Sequence, residues 1–162
     1  MEKMEYFLED NFLKVWHHFL SFEIDRSKAA VKLCGSANGY LVFQVICWHH
    51  ILVITFINDH KLRDEAVKLW FKISTAELES STVLTYSLIA DLTSLSIETV
   101  RRQVKKLEEN NWVSYSKKKG VILNSSDKNI EYLVHTFNKN EVKDLGRFMD
   151  VICKELKHQK LI

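Results

Sequence analysis

From Met4 to Phe22 the apolar residues Leu8, Phe12, Val15, Phe19 and Phe22 recur every three or four positions, with Phe7, Trp16 and Leu20 beside them. This spacing predicts an amphipathic helix with one broad apolar face that needs a large partner surface. The stretch from Ser21 to Gly39 is more polar, and Gly35-Ser36 and Asn38-Gly39 are turn signals, so a short helix followed by a break is expected there. Leu41 to Ile57 is the most hydrophobic run, seventeen residues without a formal charge. Its β-branched residues would suit a strand, yet no turn residue interrupts it and strands of this length are uncommon. A spanning helix needs roughly 20 apolar residues, and this run carries Gln44, His49 and His50. The pattern favours a buried helix, in the core or at a subunit interface. Asn58-Asp59 stops the run and can cap a further helix with Leu62, Ala66, Leu69 and Ile73 on one stripe, and Ser74 to Glu77 could form a capping box.

The pattern then changes scale. Thr85 suits the cap of a short helix whose inner face is Leu88, Ile89 and Leu92. Thr93-Ser94-Leu95 follows as a three-residue turn, and Ser96 caps a second helix over 97–110, stopped by Asn110-Asn111. Ile97, Val100, Val104 and Leu107 anchor that helix to a core, while Glu98, Arg101, Arg102 and Lys105 face outward with Gln103 and Lys106 at the flanks. Residues 112–116 and 121–124 are two short strands joined by the basic turn Lys117-Lys118-Lys119-Gly120. Two helices, a turn and a lysine-tipped hairpin, in that order, form a winged helix-turn-helix. Downstream, Asp127 or Asn129 can start a helix through Ile130, Leu133, Val134 and Phe137. Asn140 can cap another with Val142, Leu145, Phe148, Met149, Ile152 and Leu156 on its apolar side.

Composition fits this picture. Of 162 residues, 46% are hydrophobic and 27% charged, and there are four glycines and no proline, so a folded, mainly α protein is expected. The net charge of +2 says little by itself. Its distribution says more: between Ser96 and Lys119, seven basic residues (Arg101, Arg102, Lys105, Lys106, Lys117, Lys118, Lys119) stand against three acidic ones (Glu98, Glu108, Glu109), a local +4. Arginine can donate two hydrogen bonds to guanine O6 and N7, glutamate can accept from cytosine N4, and lysine can neutralise phosphate. Three widely spaced cysteines (Cys34, Cys47, Cys153) without a C-x-x-C pair or signal peptide are expected to be reduced, cytosolic and mostly structural.

Leu84-Thr85, Ile89-Ala90, the run Ser96-Ile97-Glu98-Thr99-Val100-Arg101-Arg102, then Lys105, Leu107-Glu108 and Asn111 to Ser114, resemble the DNA-binding domain of the cyclic-AMP receptor protein family. The resemblance implies base contacts by Glu98 and Arg102 and a phosphate contact by Thr85. Ile97 stands where that family usually has a base-reading arginine, and Ser94 replaces the customary glycine of the turn. The residues before the motif read as helices, without the glycine-rich segment of a cyclic-nucleotide β-roll, so cyclic-AMP binding is not implied. Helical flanks on both sides are similar to the multiple-antibiotic-resistance regulator family, in which terminal helices build a dimer.

The expected organisation is therefore an N-terminal helical dimerisation region (1–57), a winged helix-turn-helix of three helices and a two-stranded wing (58–124), and C-terminal helices packing on the N-terminal region (125–162). The expected function is sequence-specific binding of double-stranded DNA by a cytoplasmic, homodimeric transcription regulator that does not enter the membrane. Its candidate contacts are Thr85, Ser96, Glu98, Thr99, Arg101, Arg102, Lys105, Lys106, Lys117, Lys118 and Lys119. A winged-helix protein–protein module, or a sensor of a small-molecule effector with a pocket near 41–57, are the alternatives. No nucleophile motif or phosphate loop is present, and no cofactor or enzyme activity is expected. His17-His18 and His49-His50 are poor metal pairs, because adjacent helical residues point about 100° apart.

Overall fold

The computed structural model describes residues 2–57, 83–124 and 127–159, with positions 65, 68, 69 and 72 between the first two stretches. These residues are mainly helical and contain one two-stranded antiparallel sheet. The helix expected from Asn58 to Ile73 and the capping box at Ser74 to Glu77 lie, apart from those four positions, outside the described residues.

The N-terminal apolar stripe is divided differently from the expectation of one helix to Phe22 and a shorter one after it. α1 spans Glu2–Asp10 and α2 spans Phe12–Cys34. The break falls at Asn11, whose side-chain amide donates to the Phe7 carbonyl at 2.9 Å. Such a short polar side chain offers the backbone an alternative to the regular ladder. Ser21, by contrast, donates to the His17 carbonyl within the helix and leaves α2 continuous. α2 ends where expected, at Gly35, which adopts φ 75 and donates its N–H to the Val31 carbonyl at 2.8 Å.

α3 spans Ala37–Ile57, so the apolar run is helical. Asn38-Gly39 is not a turn but the start of this helix. Ser36 Oγ accepts the Gly39 N–H at 3.0 Å, and a Cβ on Gly39 would stand 2.8 Å from the Cys34 carbonyl oxygen. Glycine is needed there for close approach of two backbones. Val42, Phe43 and Ile46 of α3 share a buried core with Ile89 and Ala90 of α4 (Tyr86–Thr93) and Val100, Val104 and Leu107 of α5 (Ile97–Glu109). The sheet, β1 (Val113–Ser116) and β2 (Gly120–Leu123), adds Val113, Val121 and Leu123. The stretch 37–55 is long and apolar enough, by length and composition, to cross a membrane, but 39% of it is buried inside the protein. It is one helix, buried along Val42, Phe43 and Ile46 but exposed at Leu41, Trp48 and Ile51, so the expected buried helix is buried on one side only.

From Asp127 to His158 the chain is one continuous helical rod: α6 (Asp127–Ile130), a π-helical stretch (Glu131–Phe137) and α7 (Asn138–His158). The expected second start at Asn140 is absent, and that residue lies exposed inside α7. The wider π turn changes the phase of the side chains. Leu133 and Phe137 therefore join the α3–α5 core, while Phe148, Ile152 and Leu156 close a second cluster with Phe7 and Val15. α7 runs antiparallel to α2, because Lys14 pairs with Glu155 at one end and Arg26 with Glu141 (2.9 Å) at the other. Only part of the expected α7 stripe is covered. Val142, Leu145 and Met149 remain exposed, as do Phe12, Leu13, Trp16, Leu20 and Ile24 on α2.

Candidate nucleic-acid interface

Residues 84–123 are built by local chemistry that the sequence announces. Thr85, extended at φ −89 and ψ 160, accepts the Leu88 N–H at 3.2 Å and caps α4. The helix inside it turns a different face to the core from the one expected. Ile89 and Ala90 are buried, whereas Leu88 and Leu92 are exposed. The stripe that faces inward is Tyr86, Ile89, Ala90 and Thr93, an i, i+3, i+4, i+7 series in which a phenol and a hydroxyl stand at the ends. Ser94 then takes the left-handed conformation (φ 57, ψ 24), the geometry for which glycine is the usual residue.

α5 begins at the cap Ser96, whose Oγ accepts the Thr99 N–H at 3.2 Å and donates to Thr99 Oγ1 at 3.0 Å. These two expected contact residues hold each other at the helix start. Val100, Val104 and Leu107 are buried as expected, but Ile97 is 42% exposed. Gln103, expected at the flank, is the fourth inward residue and is buried. Its Oε1 accepts a hydrogen bond from Ser36 Oγ at 3.1 Å, so α5 is keyed to the corner between α2 and α3. The partner lies 67 positions away in the chain, which is why helical spacing alone misses this residue.

The outer surface of α5 is exposed throughout: Glu98, Arg101, Arg102, Lys105 and Lys106 all reach solvent. Glu98 and Arg101 form an ion pair of 3.3 Å one turn apart. Arg101 also lies over the ring of Tyr86, 5.9 Å from its centre. Tyr86 in turn stacks on Tyr115 of β1, with centroids 4.4 Å apart and planes inclined by 26°. Glu108 completes this side by accepting the Tyr115 N–H at 2.7 Å. Burial, then the neighbouring Glu108 and Tyr115, push the Tyr86 phenol above its ordinary range and keep it protonated, against the smaller opposing effect of Arg101.

The hairpin pairs Val113 with Leu123 and Ser116 with Gly120 around a turn of three exposed lysines, Lys117 to Lys119. A contact not visible in the sequence pattern docks it. Leu84 bridges to Gly120, and the Val121 N–H donates to the Leu84 carbonyl at 2.9 Å. Gly120 has φ 69, and a Cβ there would fall 2.4 Å from the Leu84 oxygen. The hairpin end is thereby held against the start of α4. Arg101 lies over the Tyr86–Tyr115 stack, and the lysine turn ends at Gly120 against Leu84, next to Thr85, while Glu98, Arg102 and Lys105 occupy the outward line of α5. Lys106 lies on the opposite flank, with Thr99.

Among the described residues no group of three His, Cys, Asp or Glu side chains could hold a metal ion. Burial raises the Cys34 thiol to about 12 and raises the Cys47 thiol as well, so both are poor nucleophiles at neutral pH. No protein-family model matches the chain, and neither a curated protein nor a solved structure matches it.

Proposed function

We propose that this protein is a cytoplasmic transcription regulator that reads duplex DNA as a homodimer, with its winged helix-turn-helix centred on 84–123. The observation that carries the reading is the surface of α5. A helix capped at Ser96 and fixed by Val100, Gln103, Val104 and Leu107 leaves Glu98, Arg101, Arg102 and Lys105 in solvent, next to a hairpin tipped by three lysines. Such a surface suits a major groove: Arg102 can donate to guanine, Glu98 can accept from cytosine, and the lysines can neutralise phosphates on either side. The resemblance of Ser96 to Arg102 to the cyclic-AMP receptor protein family supports the same roles for Glu98 and Arg102.

Dimerisation is supported by the uncovered faces of α2 and α7. At about 100° per residue, Phe12, Trp16 and Leu20 fall on the same side of the antiparallel pair as Leu145 and Met149. These five exposed side chains, each offering roughly 100 Å², give about 500 Å² of apolar surface, the larger part of the roughly 800 Å² that one partner contributes to a standard interface. A second copy would cover the face isologously and set two α5 helices about 34 Å apart on a near-palindromic site. Nuclease footprinting on the DNA flanking its own gene tests the proposal. A protected near-palindrome, lost on Arg102→Ala, is expected. Uniform protection, or none, contradicts it.

A further inference from the structure

We propose that Arg101 and Arg102, adjacent in sequence, divide the work: Arg102 reads base edges, whereas Arg101 grips a backbone phosphate and is aimed at it by Tyr86. The inference rests on the DNA-binding reading and specifies how its surface is used. Helical geometry separates the two side chains by about 100°. Arg102 continues the outward line of Glu98 and Lys105. Arg101 points towards the hairpin, where its guanidinium lies over Tyr86, itself stacked on Tyr115 one residue before the strand end at Ser116.

A guanidinium held over an aromatic ring by cation–π attraction spends none of its N–H donors on the ring. One donor, on Nη1, meets Glu98 at 3.3 Å, which leaves the others available to a ligand. Arg101 sits on the flank of α5 nearest Tyr86 and the hairpin, whose end at Gly120 meets Leu84 beside Thr85. With α5 in a major groove, that side faces the sugar–phosphate wall and not the base edges. The ring pair is not required by the core, because Tyr115 is 40% exposed and Tyr86 is only half-buried. Its evident effect is to join Arg101 to the hairpin. Tyr86 is thus a positioning residue, acting through Arg101.

The test compares binding to the footprinted duplex with binding to a shuffled duplex of the same composition, by fluorescence anisotropy across a salt series. Arg101→Ala should weaken both by about tenfold, leave their ratio within twofold, and reduce the salt slope by about 1. Arg102→Ala should instead lower the ratio at particular base positions. Tyr86→Ala should reproduce the reduced slope, Tyr86→Phe should keep the wild-type slope, and Tyr86→Ala should add nothing further in the Arg101→Ala background. A change in base preference on Arg101→Ala, or an unchanged slope, overturns the inference. Should Tyr86→Ala not fold, Arg101→Lys serves in its place, since it keeps the charge but loses the guanidinium held over Tyr86: affinity should fall on both duplexes alike, and wild-type affinity would count against the assignment. A wild-type protein that binds no duplex removes the DNA-binding reading itself, and this inference with it.

Discussion

Two residues with positive φ, Ser94 and Gly120, should respond in opposite ways to substitution. The left-handed conformation costs a side-chain-bearing residue roughly 1–2 kcal/mol, and glycine returns about 0.5–1 kcal/mol of that as lost chain entropy. Ser94→Gly should therefore stabilise the fold by about 0.5–1 kcal/mol in urea denaturation; destabilisation would contradict the geometry of the turn. At Gly120 the same penalty adds to a Cβ placed 2.4 Å from the Leu84 oxygen, and backbone cannot yield as a flexible side chain can. Gly120→Ala should cost at least about 2 kcal/mol and release the hairpin from Leu84, with loss of amide protection at Val121. Both glycine-type positions lie in turns that the sequence marks. What it does not mark is the neighbour: Leu84 touches Gly120 only because the chain returns after 36 residues.

At the scale of elements, local chemistry is legible in the sequence and long-range packing is not. The caps at Thr85 and Ser96, the Ser94 turn, the stop at Asn110-Asn111 and the lysine hairpin all depend on residues within a few positions of one another, and all are present. The α2–α3 break was legible at Gly35 for the same reason, while Asn11 was hidden inside an unbroken apolar period. Inward faces were less legible when polar atoms complete them: Tyr86 and Thr93 displaced Leu88 and Leu92, and Gln103 replaced Ile97. The Gln103–Ser36 bond is the clearest case. Gln103→Ala should destabilise by about 1–3 kcal/mol through the lost acceptor and packing, and a double-mutant cycle with Ser36→Ala should return a coupling above about 0.5 kcal/mol. Additive effects would mean that the two side chains act separately.

Across the whole molecule, one core joins α3 to α4, α5 and the hairpin, a second joins α1, α2 and α7, and the π-helical stretch turns one continuous rod between them. The first core supports the proposed reading surface and the second presents the proposed dimer face. Leu20→Glu with Leu145→Glu changes two side chains already about half exposed, so folding should persist while sedimentation velocity shifts from dimer to monomer. An unaltered dimer would place the interface elsewhere. Sequence-specific DNA binding is tested most directly by a salt titration of wild-type protein on its flanking DNA and on random duplex. Binding should weaken steeply with salt on both, with the flanking site at least about a thousandfold tighter near physiological salt. Equal affinity for the two duplexes at every salt concentration would contradict the account.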